Sequence, residues 1–156
     1  MKKILTILML LCLSMGAMAQ KGDASIGANL LYGTDTNLGI AAKMRYNVTD
    51  QFRVEPAFEY FFKHDYVSMW DLGANLHYVF PVSDVINVYP LAGVSYFKSK
   101  VHGQGFDVES DGKIGFNLGG GVDIPLGGVI LNLEGKFQLV DGSNQFVIGA
   151  GFAIPF

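Results

Sequence analysis

The chain has 156 residues, 11 of them basic and 14 acidic, for a formal charge of −3. Without Lys2 and Lys3 the remainder carries about −5, which excludes the basic footprint of a nucleic-acid-binding protein. The single cysteine, Cys12, rules out a disulfide framework, and the length suits one domain.

Lys2 and Lys3 form a positive n-region, Ile4 to about Met15 an apolar core, and Ala17-Met18-Ala19 a small-x-small cleavage motif. This pattern predicts a secretory signal peptide over residues 1–19, cut between Ala19 and Gln20. The apolar run is too short for a spanning helix, which needs about 20 residues. Lipidation at Cys12 is not expected either, because Met9-Leu10-Leu11 precede it where small residues are needed. The mature chain, residues 20–156, is then exported and lacks cysteine.

From residue 25 onward the apolar residues recur with period two, which predicts strands. The run 25–32 puts Ile26, Ala28, Leu30 and Tyr32 on one face, and 37–48 does the same with Leu38, Ile40, Ala42, Met44, Tyr46 and Val48. Segment 52–62 opposes Phe52, Val54, Phe58, Tyr60 and Phe62 to Arg53, Glu55, Glu59 and Phe61. The alternation continues over 70–80, 86–96, 114–124, 129–139 and 146–156, giving eight strands of about 10 residues. Pro56 and Pro90 fall inside these strands, where bulges or kinks are expected. The nine strand charges, Lys43, Arg45, Arg53, Glu55, Glu59, Asp71, Asp123, Glu134 and Lys136, all share the polar face.

A soluble barrel would turn its apolar face inward, a membrane barrel outward. Three features favour the membrane: no helix is available to cover the apolar face, the strands are even in number, and aromatics gather near strand ends. Tyr32, Tyr60, Phe62, Trp70, Tyr96, Phe116 and Phe146 belong to one rim, and Tyr46, Phe52, Tyr78, Phe80 and Phe156 to the other. The expected fold is all-β, an eight-stranded antiparallel up-and-down transmembrane β-barrel. Short turns at 49–51, 81–84 and 125–128 lie at the rim of the termini, expected to be periplasmic. The connections at 33–36, 63–66, 98–112 and 141–144 then face outside, with only 98–112 long.

The C-terminal Gly151-Phe152-Ala153-Ile154-Pro155-Phe156 looks like the terminal signal read by barrel-assembly machinery, with Gly151, Ile154 and Phe156 at the marked positions. With Tyr89-Pro90-Leu91-Ala92-Gly93-Val94 and the glycine-rich 115–123 segment, the mature chain resembles the outer membrane β-barrel domain family, the small barrels of the OmpX and OmpA type. The resemblance implies the cell outer membrane of a Gram-negative bacterium, contact with outer membrane lipid, and periplasmic chaperones and assembly machinery as biogenesis partners. No tether to the cell wall is implied.

Within so narrow a barrel the four bases and five acids are expected to pair across adjacent strands as a plug. Arg53 and Glu59 are read as two such plugging charges, the carboxylates Glu55 and Glu59 as ion-pair partners rather than acid–base catalysts, and His77 as a satisfied inward polar group. Gly119-Gly120-Gly121 is expected to ease close packing. The expected function is non-enzymatic: envelope structure or surface interaction through the outer loops, chiefly 98–112 with Lys98, Lys100, His102, Asp107, Glu109 and Asp111. A narrow porin-like channel is the alternative. A lipid-modifying enzyme is a lesser one, for which His64-Asp65, Ser68 and His102 are the candidate residues. No cofactor, metal or phosphate motif stands out.

Overall fold

The computed structural model describes residues 2–3, 22–64, 66–83, 85–103, 105, 107–109, 112–141 and 144–156. The cleavage site at Ala19 and Gln20 therefore lies outside the described residues. The strands are β1 (Ala24–Gly33), β2 (Asn37–Asn47), β3 (Phe52–His64), β4 (Val67–Tyr78), β5 (Phe80–Ser83), β6 (Ile86–His102), β7 (Asp107–Glu109), β8 (Lys113–Leu126), β9 (Val129–Val140) and β10 (Gln145–Pro155).

They form one antiparallel sheet in the order β4-β3-β2-β1-β10-β9-β8-β6, and β4 pairs with β6 to close it. Eight staves result, because β5 continues β4 against β6, and β7 pairs only with the outer end of β6. Closure leaves every central stave hydrogen-bonded on both sides, which is what lipid demands of a backbone.

Alternation sets the facing. The nine charges expected on the polar face are all buried inside, while Leu30, Leu38, Phe58, Leu72, Phe116 and Phe152 are exposed on the outer wall. An apolar outer wall around a charged interior is the inverse of a soluble barrel, and lipid is the solvent that suits it. Aromatic pairs band both ends of that wall. Phe52, Tyr78 and Phe80 make successive edge-on and tilted contacts near the rim that carries the termini, and Trp70 and Tyr96 pack together toward the other.

Three expectations about the chain path need correction. Neither Pro56 nor Pro90 produces a bulge: Pro56 pairs with Ala74 and Pro90 with Gly120 in unbroken register. Each proline instead removes rungs on its other side, since it has no N–H to donate. Opposite Pro56 the ladder to β2 skips Met44 and Arg45, and opposite Pro90 it skips Tyr78 and Val79, dividing β4 from β5. The register shifts lie elsewhere, between Phe61 and His64 and between Pro81 and Ser83.

The long outer loop is also shorter than 98–112. β6 continues to His102, with Trp70↔Lys98 and Val67↔Val101 on one side and His102↔Asp107 on the other. Its lysines and serine hide a strand that two neighbours hydrogen-bond. At the opposite rim, β8 runs to Leu126, which pairs with Val129, so the turn is Gly127-Gly128 alone. Gly127 has a φ of 70°, the left-handed conformation that two-residue hairpin turns favour.

Candidate functional site

The lumen holds the chain's chemistry. Its side chains come from alternate positions of all eight staves, so residues distant in sequence meet near the axis. Nearest the rim of the termini, Arg53 donates from Nη1 to Asp123 Oδ2 at 2.8 Å and from Nε to His77 Nδ1 at 3.1 Å. Arg45 donates from Nε to Glu55 Oε2 at 2.8 Å and from Nη1 to Asp123 Oδ1 at 3.1 Å. Lys43 reaches Glu134 Oε1 at 2.7 Å and lies 3.6 Å from Glu55 Oε1. Lys43, Arg45 and Arg53 are thus balanced by Glu55, Asp123 and Glu134.

Tyr89 organises this cluster, a role that its place among polar residues of β6 did not single out. Its hydroxyl donates to Glu134 at 2.7 Å and accepts from Asn132 at 2.7 Å. Its ring stacks on His77 at 4.3 Å and lies under the Arg53 guanidinium at 4.7 Å. Gly121 makes this possible, since a Cβ there would collide with the Tyr89 hydroxyl. Asn29, Asn75, Asn117 and Ser95 add further hydrogen bonds between staves.

A second cluster lies further along the lumen. Lys136 pairs with Glu59, and Gln138 donates to Glu59 at 3.0 Å and to Asp71 at 3.5 Å. Gln145 donates to Gln138 at 2.6 Å, and Thr36 donates to Gln145 at 2.9 Å.

Pairing across adjacent strands is the wrong geometry for most of these contacts. Arg45–Glu55 and Lys43–Glu55 join neighbours; Lys43–Glu134 spans β2 to β9, Arg45–Asp123 β2 to β8, Arg53–Asp123 β3 to β8, and Lys136–Glu59 β9 to β3. On a concave wall, long side chains converge on the axis and meet partners from the far side. Arg53 and Glu59 are not partners at all, being six residues apart on one strand, or about 20 Å.

Glu55, His77 and Glu134 bring three ligand-type atoms within 4.8 Å of one another. The Lys43 ammonium already stands against both carboxylates. Arg53 donates to His77 Nδ1, which leaves the ring hydrogen, and no lone pair for a metal, on Nε2; that atom lies 3.6 Å from Glu55, beyond hydrogen-bond reach, so His77 is buried but not the fully satisfied group expected. The trio is a lysine-bridged ion cluster.

Nearer the rim opposite the termini the lumen turns apolar on one side. Leu31, Ala41, Phe61 and Val147 form one buried cluster with Met69 packed against it. Phe61 and Ala41 stand at positions of the charged face, a break in alternation that the sequence displays without disclosing its purpose. Outside this layer, Ser68 Oγ and His102 lie 3.0 Å apart where β4 begins and β6 ends. Asp107 occupies the register position opposite His102; Asp65 lies outside the described residues. Gly151 pairs with Asn29 and Asn132, Ile154 is exposed on the outer wall, and the Phe156 N–H donates to Ala24 O at 3.0 Å.

A family model described as "Outer membrane protein beta-barrel domain" matches residues 5–152. No curated protein matches the sequence. Among solved structures, the chain is similar to the N-terminal β-barrel domain of Pseudomonas aeruginosa OprF, with a TM-score of 0.71 and 14% identity over 88% of this chain and 98% of that one. It is similar to Neisserial surface protein A, with a TM-score of 0.71 and 16% identity over 86% and 96% of the two chains. It also resembles Ail, the attachment invasion locus protein of Yersinia pestis, with a TM-score of 0.60 and 18% identity over 86% and 97%.

Proposed function

The chain belongs to the outer membrane protein β-barrel domain family and so is a barrel of the outer membrane; from that premise we propose that it is a closed-lumen, non-enzymatic barrel serving envelope structure or surface interaction. The observation that carries the reading is the lumen filled by charges paired across it inside an apolar wall. The nine charges of the polar face fill the lumen as a network that bars bulky solutes. Residues 1–19 are a signal peptide cut before Gln20, and residues 20–156 are the mature barrel. Gly151, Ile154 and Phe156 act as the signal for assembly machinery, and the rim of the termini faces the periplasm. The β6–β7 hairpin then projects from the cell, and its role in surface contact gains support from neighbours named as surface and attachment proteins.

An epitope inserted at Gly105 tests this orientation. Antibody labelling of whole cells is expected, along with a mature N-terminus at Gln20 by mass spectrometry. Labelling only after lysis would reverse the topology. Detergent sensitivity of a deletion strain, restored by the intact chain, separates an envelope role from surface contact alone.

The Ser68–His102 contact favours a second reading, ester hydrolysis on outer-leaflet lipid. A serine hydroxyl at 3.0 Å from an imidazole has the geometry of a nucleophile with its base. Turnover of a long-chain nitrophenyl ester by the purified barrel, abolished in Ser68→Ala, would establish it. Equal background rates for both proteins would leave the contact a structural hydrogen bond.

A further inference from the structure

We propose that the permeability barrier of this barrel is the apolar layer near its outer rim, built on Phe61, Leu31 and Val147, and that the ion-pair struts brace the wall without sealing it. The inference rests on the closed-lumen reading and identifies what closes the lumen.

The two parts of the lumen offer an ion different surroundings. Toward the rim of the termini, a cavity of 170 Å³ opens beneath Arg53 and Asp123, lined also by Asp23, Ser25, Asn47 and Asn87. Water entering there meets guanidinium groups, carboxylates and amides at successive levels. Such groups exchange partners with an ion and its hydration shell, as the sites of a conducting pathway do. A polar network of this kind blocks bulky solutes by volume, yet it presents a small ion with ligands at every step.

The apolar cluster presents almost none on its own side of the lumen. Phe61 and Val147 are 0% and 1% exposed, packed with Leu31 and Ala41 from β1 and β2. Further round the wall, Phe97 of β6 and Val140 of β9 are buried over Gly115, where a Cβ would stand 2.7 Å from each. The missing side chain at Gly115 is thus what lets two large ones close that sector. The remaining arc is filled by Gln138 and Gln145, bonded to each other at 2.6 Å. Ala41, Val147 and Phe97 stand in register with Glu59, Lys136 and Asp71, so the apolar side chains line one side of this level, and an ion crossing on that side loses hydration without replacement.

Planar-bilayer recording of three purified barrels separates the layers. The unmodified protein is expected to show no steady conductance. Phe61→Ser with Val147→Ser hydrates the layer and should raise conductance at least about tenfold over the unmodified leak. Lys136→Met with Glu59→Gln removes a strut as a pair, leaving neither member orphaned, and should stay closed. A conducting strut variant beside a tight, folded layer variant would overturn the assignment. Should the double serine variant fail to fold, Phe61→Ala serves in its place: a leak supports the layer, and a folded, tight barrel refutes it. Steady conductance by the unmodified protein would instead overturn the closed-lumen reading itself, whatever the order of the variants.

Discussion

Replacing Lys136 with methionine isolates the electrostatics of one strut, because methionine keeps most of the apolar stem. Glu59, its partner, is fully buried, and Asp71 stands beside the same pair through Gln138. Losing the cation leaves buried carboxylate charge uncompensated, at a cost of about 3–5 kcal/mol. Glu59→Gln orphans the lysine instead and should cost a similar amount. In the double variant neither penalty is incurred in full, so the coupling energy should reach about 2–3 kcal/mol. The control is Arg53→Met with Glu59→Gln. Arg53 bonds to Asp123 and His77, far along the lumen, and these two changes should add within about 0.5 kcal/mol. Reversible urea unfolding in lipid vesicles, followed by the fluorescence of the sole tryptophan, Trp70, supplies each free energy. If Arg53 and Glu59 couple as strongly as Lys136 and Glu59, the struts are not the contacts described.

Two further outcomes are expected. With Cys12, the only cysteine, replaced by serine, single cysteines in the strands report their surroundings without background. Leu118, 58% exposed, should react as cysteine with lipid-soluble maleimides in vesicles, while Asn117, 2% exposed, should stay protected until unfolding; equal labelling would contradict the facing. Gly121→Ala forces a methyl group into the Tyr89 hydroxyl and should destabilise the barrel by about 1–3 kcal/mol. Gly120→Ala, which meets only a backbone oxygen at 3.0 Å, should cost less by the same unfolding assay.

The alternation made all eight staves legible because lipid imposes one rule on one face of each. Phe58 and Leu118 differ from Glu59 and Asn117 by a single position, and that parity is enough to assign sides. Partner choice was not legible. That Arg45 meets Asp123 as well as Glu55 depends on how far its side chain projects toward the axis, a property of the closed wall and not of any one strand. The outer end of β6 was missed for a related reason: Lys98, Ser99 and Lys100 carry no apolar stripe, and their strand is defined by backbone bonds to β4 and β7. The apolar layer was visible only as irregularity. Phe61 among charges looked like noise in the pattern until the wall closed around it.

Because the struts join β2 and β3 to β8 and β9, the two ends of the chain must both be in place before any of them forms. Neighbouring hairpins, each closed by a short turn, can pair early at small entropic cost. The lysine and arginine side chains on the first half then wait for carboxylates that arrive about 70–90 residues later. Such late contacts belong to the low-φ class, whose loss chiefly accelerates unfolding and leaves the folding rate little changed. The struts therefore act as a latch on the finished cylinder, lengthening its lifetime in the membrane more than hastening its assembly.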